Sequence, residues 1–269
     1  MASPAPAPDR PLVVGILNLT PDSFHDGGRH GDFEVALRAA EQMIADGADW
    51  IDVGGESTRP GADEVDAQEE ARRVLPMVAE LAPRVTVSID TRKPEVARRA
   101  LRAGASILND VSGLDLPEMA ALSADFAATV VMHMRGDPAT MRQHTAYEDL
   151  LGEVCAQLVE RAARARSAQV WIDPGIGFAK TAAQSARLLA HTDRLVATGL
   201  PVLIGASRKS FLGQLLDLPG TEQRLVPSLA AAALAWQRGA RAFRVHDVGP
   251  TRQLLDTLWT MDRIGRTPA

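Results

Sequence analysis

The sequence predicts a single-domain α/β protein built as a closed (β/α)8, or TIM, barrel. Three observations carry that prediction. Short apolar runs alternate with longer amphipathic segments eight times over, as parallel strands with outer helices require. The 269 residues are close to the roughly 250 of such a barrel, and nothing interrupts the alternation where a second domain would start. No G-x-G-x-x-G follows the first apolar run, where Asn18-Leu19-Thr20-Pro21-Asp22 stands instead, which disfavours an open dinucleotide-binding sheet.

The elements follow in order. A strand over 12–17 precedes a helix over 33–46, with Ala36, Leu37, Ala40, Met43 and Ile44 on one face. Strand 50–53 precedes helix 67–81. Strand 85–89 precedes a helix that opens at Pro94-Glu95, proline suiting a first helical turn, and runs to 103. Strand 106–108 is followed by a short helix over 117–123, and strand 127–132 by a long one over 147–166. Strand 170–172 precedes helix 182–197. Strand 202–204 leads into a short helix at 209–216 and a longer one at 225–238, whose start Val226-Pro227 interrupts. Strand 242–245 and helix 251–263 complete the eight units. Residues 1–11 are rich in Ala and Pro and carry neither a basic nor an apolar targeting pattern. They are expected to form a disordered tail ahead of one domain over 12–269.

Composition excludes several function classes. With 46% hydrophobic and 23% charged residues the chain is neither disordered nor fibrous, and no apolar run reaches the roughly 18 residues of a membrane span. A net charge of −5 without a basic block argues against a nucleic-acid partner. The one cysteine, Cys155, allows no internal disulfide, which points to a reducing, cytoplasmic setting. Cys155 falls in the long fifth-unit helix and reads as inert core.

Active sites of (β/α)8 barrels lie at the C-terminal ends of the strands, and here every strand ends in a polar group. The ends are Asn18, Asp52, Asp90, Asn109, His133, Asp173, the segment Ser207-Arg208-Lys209-Ser210, and Arg244-Val245-His246. The chain has only two asparagines and three lysines (Lys93, Lys180, Lys209) against 26 arginines, yet both asparagines and Lys209 fall in this set. Polar loops alone would not concentrate such scarce residues at one rim. Asp90, Asn109 and Asp173 supply acceptors and a donor suited to a flat heterocycle with amino and ring N–H groups, and Lys209 adds a point charge. Arg244, His246 and Arg59 form a cationic set suited to phosphate oxygens. The amide oxygen of Asn18 suits a hard cation such as Mg²⁺. Two long Gly/Pro-rich connections, 19–32 and 54–66, have the length of functional lids. The ligand so described is a polar heterocycle bearing a phosphate or diphosphate.

Several stretches resemble the dihydropteroate synthase family, the pterin-binding enzymes of folate biosynthesis that sulfonamides inhibit. They are Gly15-Ile-Leu-Asn-Leu-Thr-Pro-Asp-Ser-Phe24, Asp52-Val-Gly-Gly-Glu-Ser-Thr-Arg-Pro-Gly-Ala62, Ile89-Asp-Thr91, Leu108-Asn-Asp110, Met132-His-Met134, Asp173-Pro-Gly-Ile-Gly-Phe178, Gly205-Ala-Ser-Arg-Lys-Ser210 and Arg244-Val-His-Asp-Val248. The first two and the Ser-Arg-Lys segment are the specific ones. The resemblance implies a transferase that condenses 6-hydroxymethyl-7,8-dihydropterin diphosphate with para-aminobenzoate, by a dissociative, Mg²⁺-assisted route in which diphosphate leaves first. It implies that Asp90, Asn109, Asp173 and Lys209 hold the pterin, and that Asn18, Arg244 and His246 hold the diphosphate, with Asn18 on the metal. Phe24, Thr58, Arg59, Pro60, Phe178 and Ser210, with Lys209, would form the para-aminobenzoate pocket. Asp26, Arg59, Lys209, Arg244 and His246 would be catalytic. A homodimer is also implied, and the apolar face at 229–236 is compatible with it or with ordinary core packing. The chain departs from the family pattern at His25, Ala179 and Ser185. Two alternatives remain: a pterin-dependent corrinoid methyltransferase, which has no use for a diphosphate site, and a non-catalytic pterin-binding paralogue.

Overall fold

The computed structural model describes residues 9–20, 28–58 and 64–266, the side chains of 28–31 excepted. Among them the eight expected strands form one parallel sheet: β1 (Leu12–Asn18), β2 (Trp50–Gly54), β3 (Thr86–Asp90), β4 (Ile107–Asp110), β5 (Ala128–Met132), β6 (Gln169–Asp173), β7 (Leu203–Ile204) and β8 (Ala242–Val245). Their spatial order is β6-β5-β4-β3-β2-β1-β8-β7. The two ends of that order meet at a bridge between Ile172 and Val202, where Ile172 N–H donates to the Pro201 carbonyl at 3.0 Å. The sheet is therefore a barrel.

Outside it lie α1 (Gly28–Ala45), α2 (Ala67–Leu81), α3 (Pro94–Arg102), α4 (Pro117–Leu122), α5 (Leu150–Ala162), α6 (Ala182–Ala190), α7 (Thr192–Val196), α8 (Ser210–Leu216), α9 (Leu225–Gln237) and α10 (Val248–Arg266). Local chemistry fixes several starts. The Asp66 carboxylate accepts from the N–H groups of Gln68 and Glu69 to begin α2. Thr181 and Gln184 make a reciprocal capping box on α6. Pro94 occupies the first turn of α3.

The strands are apolar on both faces because both are covered. Their outer faces and the helices share two large clusters. A third cluster fills the barrel interior at its N-terminal end with Val14, Trp50, Ile107, Ala128, Val130, Trp171, Leu203 and Ala242. Trp50 and Trp171 meet there edge to face, ring centroids 5.6 Å apart, an arrangement contributing about 0.5–1.5 kcal/mol beyond area burial. The interior is thus a solid floor below whatever occupies the other mouth.

Five expectations need correction. The helix expected over 182–197 is two, because His191 at φ −119°, ψ 34° breaks it between α6 and α7. α5 is shorter than its apolar pattern, and α10 begins earlier and ends later than expected. Pro227 does not interrupt α9: it sits in the first turn, where its missing N–H has no intrahelical acceptor to lose. Cys155 is only partly buried; its Sγ lies 3.7 Å from the Arg194 carbonyl, and burial raises its thiol pKa. Of the expected tail, residues 1–8 lie outside the described residues. Arg10 pairs with Asp256 and Arg252 donates to the Pro11 carbonyl, so the chain is tied down before β1. No described helix is long and apolar enough to cross a membrane.

Candidate active site

The sheet register assembles the site. Asn18 stands beside Gly54, Gly54 beside Asp90, and Asp90 beside Asn109, so one rung carries three polar side chains around a glycine. A Cβ on Gly54 would sit 3.6 Å from Asn18 Oδ1 and 3.7 Å from Asp90 Oδ2. Those two oxygens therefore flank one small space that only glycine leaves open. Gly205, just beyond β7, does the same across the mouth. Its Cβ would lie 3.6 Å from Asp173 Oδ2 and 3.9 Å from both Lys209 Nζ and Arg244 Cβ.

Arg244 joins the two sides. Its guanidinium donates to Asp52 Oδ2 at 2.6 Å and Asp90 Oδ2 at 2.7 Å. Asn109 Nδ2 donates to the same Asp52 oxygen at 3.1 Å. Asp52 and Asp90 are nearly inaccessible, and each keeps a buried Oδ1 without a hydrogen-bond partner. Unsatisfied buried carboxylate oxygens are costly, and a donor-rich ligand would relieve the cost.

Burial dominates the titration of these groups. It raises the Asp90 carboxyl, a shift that Arg244 opposes and Asp52 adds to. It raises Asp173 against the pull of Lys209. It pushes the Lys209 ammonium down to about 8, with Asp173 resisting. Burial also works against the Arg244 charge, but the carboxylates of Asp52 and Asp90 outweigh it and hold its pKa above the ordinary arginine value.

The turn after β6 builds the remaining wall. Asp173 Oδ1 accepts from Gly175 N–H at 2.7 Å. Gly175 has φ 64°, and a Cβ there would fall 2.0 Å from the His133 carbonyl oxygen, so the turn passes hard against the end of β5. Lys209 Nζ donates to the Ile176 carbonyl and lies 4.6 Å from the centre of the Phe178 ring, a cation–π contact. Phe178 rests against Val111, Met132, Met134, Met141 and Ala179. Ala179 is left-handed at φ 49°, a conformation that glycine adopts without steric cost. Ser185, the other departure in this region, is buried and accepts from Gly177 N–H.

His246 follows β8 at the same mouth, its Nδ1 3.1 Å from Ser207 Oγ. Thr58 follows β2, half-buried, and Ser210 opens α8, exposed. Phe24, His25, Asp26, Arg59 and Pro60 lie outside the described residues. An open cleft of about 480 Å³ between the starts of α2 and α3, lined by Asp66, Gln68, Glu69, Arg72, Glu95 and Arg99, lies outside the ring of strands and gathers no buried polar group. The convergence at the mouth, with its orphaned carboxylate oxygens, makes it the stronger candidate.

Residues 14–246 match the model of the pterin binding enzyme family. A dihydropteroate synthase of Synechocystis is 44% identical over 262 residues, covering 93% of this chain and 91% of its own. The chain belongs to the dihydropteroate synthase family. Solved family structures agree on the fold. The Xanthomonas albilineans dihydropteroate synthase with 4-aminobenzoic acid superposes with a TM-score of 0.87 at 44% identity, covering 97% of this chain and 95% of that one. The same species' enzyme in complex with 7,8-dihydropteroate gives 0.85 at 41% identity and equal coverage.

Of the residues expected at one mouth, Asn18, Asp90, Asn109, Asp173, Lys209 and Arg244 are brought together there. The sequence offers Asp52 only as a strand end without a role, although this residue anchors both Arg244 and Asn109. The available signal was its position two residues beyond Trp50, hence on the same inward face of β2. His133 too is named by the sequence only as a strand end and Lys180 only as one of three lysines, yet they meet behind the β6 turn.

Proposed function

We propose that this protein condenses 6-hydroxymethyl-7,8-dihydropterin diphosphate with para-aminobenzoate to give 7,8-dihydropteroate and diphosphate. The observation that carries this reading is the shared hollow in which the acceptors Asp90, Asn109 and Asp173 face the cations Lys209 and Arg244. A corrinoid methyltransferase has no use for those cations beside the pterin-type acceptors, and a silent binder of the same pterin diphosphate is separated by a product assay.

Asp90, Asn109 and Asp173 hold the amino and ring N–H groups of the pterin. Arg244 and His246 take the diphosphate oxygens, and Asn18 lies beside them. The C–O bond to the leaving group breaks first, and its electron pair departs with the diphosphate. The para-aminobenzoate nitrogen then forms the C–N bond to the methylene carbon and releases a proton. An aryl amine is nucleophilic when neutral, so no residue with a tuned base is required. Lys209 lies between the pterin acceptor Asp173 and the Phe178 ring, where it serves both substrates. Phe178, Thr58 and Ser210 border the amine, and the family resemblance assigns Phe24, Arg59 and Pro60 to the same pocket and Asp26 to the positive charge that develops on the methylene.

The residues present fit Mg²⁺. Asn18 Oδ1 and Asp90 Oδ2 border one space, and no group of three or more His, Cys, Asp or Glu among the described residues forms an all-protein cage. Mg²⁺ that keeps waters and substrate phosphate oxygens takes only one or two protein oxygens. When bound, it would neutralise charge on the departing diphosphate.

The reading extends to a cytoplasmic homodimer. α9 and α10 expose Val226, Leu234, Met261 and Ile264, an apolar set suited to a second copy of the chain; sedimentation equilibrium reporting a monomer at micromolar concentration would remove the dimer. The activity itself is tested by incubating the protein with both substrates and Mg²⁺ and following dihydropteroate by chromatography and mass spectrometry. Product dependent on both substrates supports the reading. Binding of the pterin diphosphate without any product sinks it.

A further inference from the structure

Lys180 is one of only three lysines in the chain, and its side chain is buried away from the mouth. Its Nζ donates to the Phe178 carbonyl at 2.9 Å, lies 2.9 Å from His133 Nδ1 and reaches the His133 carbonyl at 3.4 Å, and burial pushes its pKa well below the ordinary lysine value. His133 is fully buried at the end of β5, and its Nε2 is 3.0 Å from Gln157 Oε1 on α5. Burial, with Lys180 beside it, pushes the imidazole pKa down to about 2, so the ring is neutral. A neutral ring accepts from Lys180 at Nδ1 and donates to Gln157 at Nε2. A continuous chain of contacts therefore runs from α5, through β5, to the peptide that carries Phe178.

The β6 turn is thus held from two sides. Lys209 grips it from the mouth through the Ile176 carbonyl and the Phe178 ring, and Lys180 grips it from behind. The two ends of the turn are not equally dependent on Lys180. Asp173 is paired with Met132 in the sheet, and its carbonyl accepts from His133 N–H at 2.9 Å. Phe178 lies beyond the sheet, five residues on.

We propose that Lys180 and His133 are positioning residues for the aryl-amine substrate, acting through Phe178. They touch neither substrate. The proposal rests on the reading that Phe178 lines the para-aminobenzoate pocket and Asp173 the pterin pocket. Its consequence is asymmetric: loosening the Lys180 contact displaces the ring and leaves the carboxylate in place.

Wild-type turnover is measured first, and its absence would reject the activity without touching the variants' logic. Lys180→Met keeps the apolar stem and removes the donors. It is expected to raise KM for para-aminobenzoate roughly ten-fold while KM for the pterin diphosphate stays within about two-fold, the pattern of a lost interaction confined to one substrate. Two histidine variants keep the test open if Lys180→Met does not fold. The amide of His133→Asn falls where Nδ1 was and still accepts from Lys180; the longer amide of His133→Gln falls nearer Nε2 and does not. His133→Asn is expected to keep the amine KM within about three-fold, and His133→Gln to raise it as Lys180→Met does. A lowered Tm with both KM values moving together, equal behaviour of the two histidine variants, or unchanged KM values in Lys180→Met would each overturn the proposal.

Discussion

The two ends of the barrel interior are built from the same strands and share almost no chemistry. β2 points Trp50 inward at one level and Asp52 at the next; β4 does the same with Ile107 and Asn109, β6 with Trp171 and Asp173, and β8 with Ala242 and Arg244. Two strand residues span only about 6.6 Å. Over that distance an interlocked apolar layer, whose Trp171 Nε1 is itself buried without a partner, gives way to carboxylates with orphaned oxygens and an arginine serving two of them. The lower layer is where the barrel gains stability by packing. The upper layer does the reverse: its groups are desolvated and partly unsatisfied, and burial shifts Asp90, Asp173 and Lys209 toward their neutral forms. That division is expected of a site held ready for a polar ligand by a rigid floor.

The sharpest way to break this contrast is at the floor. Trp171→Ala is expected to cost about 3–5 kcal/mol of unfolding free energy, the range for deleting a fully buried large aromatic, while KM for both substrates stays near the wild-type value in the folded fraction. Urea denaturation and steady-state kinetics on one preparation check it. A KM shift comparable to the stability loss would mean that the layers are coupled and that the division is false. Next in size is Lys209→Ala at the mouth. It is expected to lower kcat/KM about 100-fold, or roughly 2.7 kcal/mol of transition-state stabilisation, and to raise KM for both substrates, because the ammonium lies between Asp173 and Phe178. Unchanged KM values would remove Lys209 from the junction of the two pockets.

The floor and the rim were legible in the sequence for different reasons. Strand alternation and apolar periodicity report burial, so all eight strands emerge, β7 included despite its two residues. The C-terminal ends of the strands share one mouth of a barrel, which is how Asn18, Asp90, Asn109, Asp173 and Arg244 could be placed together. Pairing across the barrel is not local. Arg244 meets Asp52 across 192 positions, and no spacing rule states which carboxylate an arginine will choose. The break at His191 was hidden because the residues on both sides keep a helical pattern while the backbone angles of a single residue change. The grip of Lys180 on His133 was hidden because a buried lysine reads as a surface lysine until its neighbours are known.

A smaller effect separates metal from protein at the rim. If Asn18 contributes one oxygen to a Mg²⁺ carried chiefly by the diphosphate, Asn18→Ala should raise the Mg²⁺ concentration for half-maximal turnover about ten-fold, equivalent to roughly 1.4 kcal/mol, and leave KM for para-aminobenzoate unchanged. An unaltered Mg²⁺ titration would take the metal away from Asn18.

The finest test sets activity against stability within one group. Lys209 is held near a pKa of about 8, chiefly by burial, so kcat/KM should fall above pH 8, approaching ten-fold per unit. Stability relative to Lys209→Met, which cannot titrate there, should move the other way. From pH 8 to the ordinary lysine range the unfolded chain binds a proton that the folded chain has released. Folding is therefore favoured progressively as pH rises through that window, because the buried charge is no longer carried. The penalty is fully present below pH 8, where the enzyme works. An alkaline limb in kcat/KM without that relative gain in stability would mean that some other group titrates. Both together would mean that the rim sacrifices folding free energy to keep one ammonium charged between two pockets, a cost absent from the tryptophan floor beneath it.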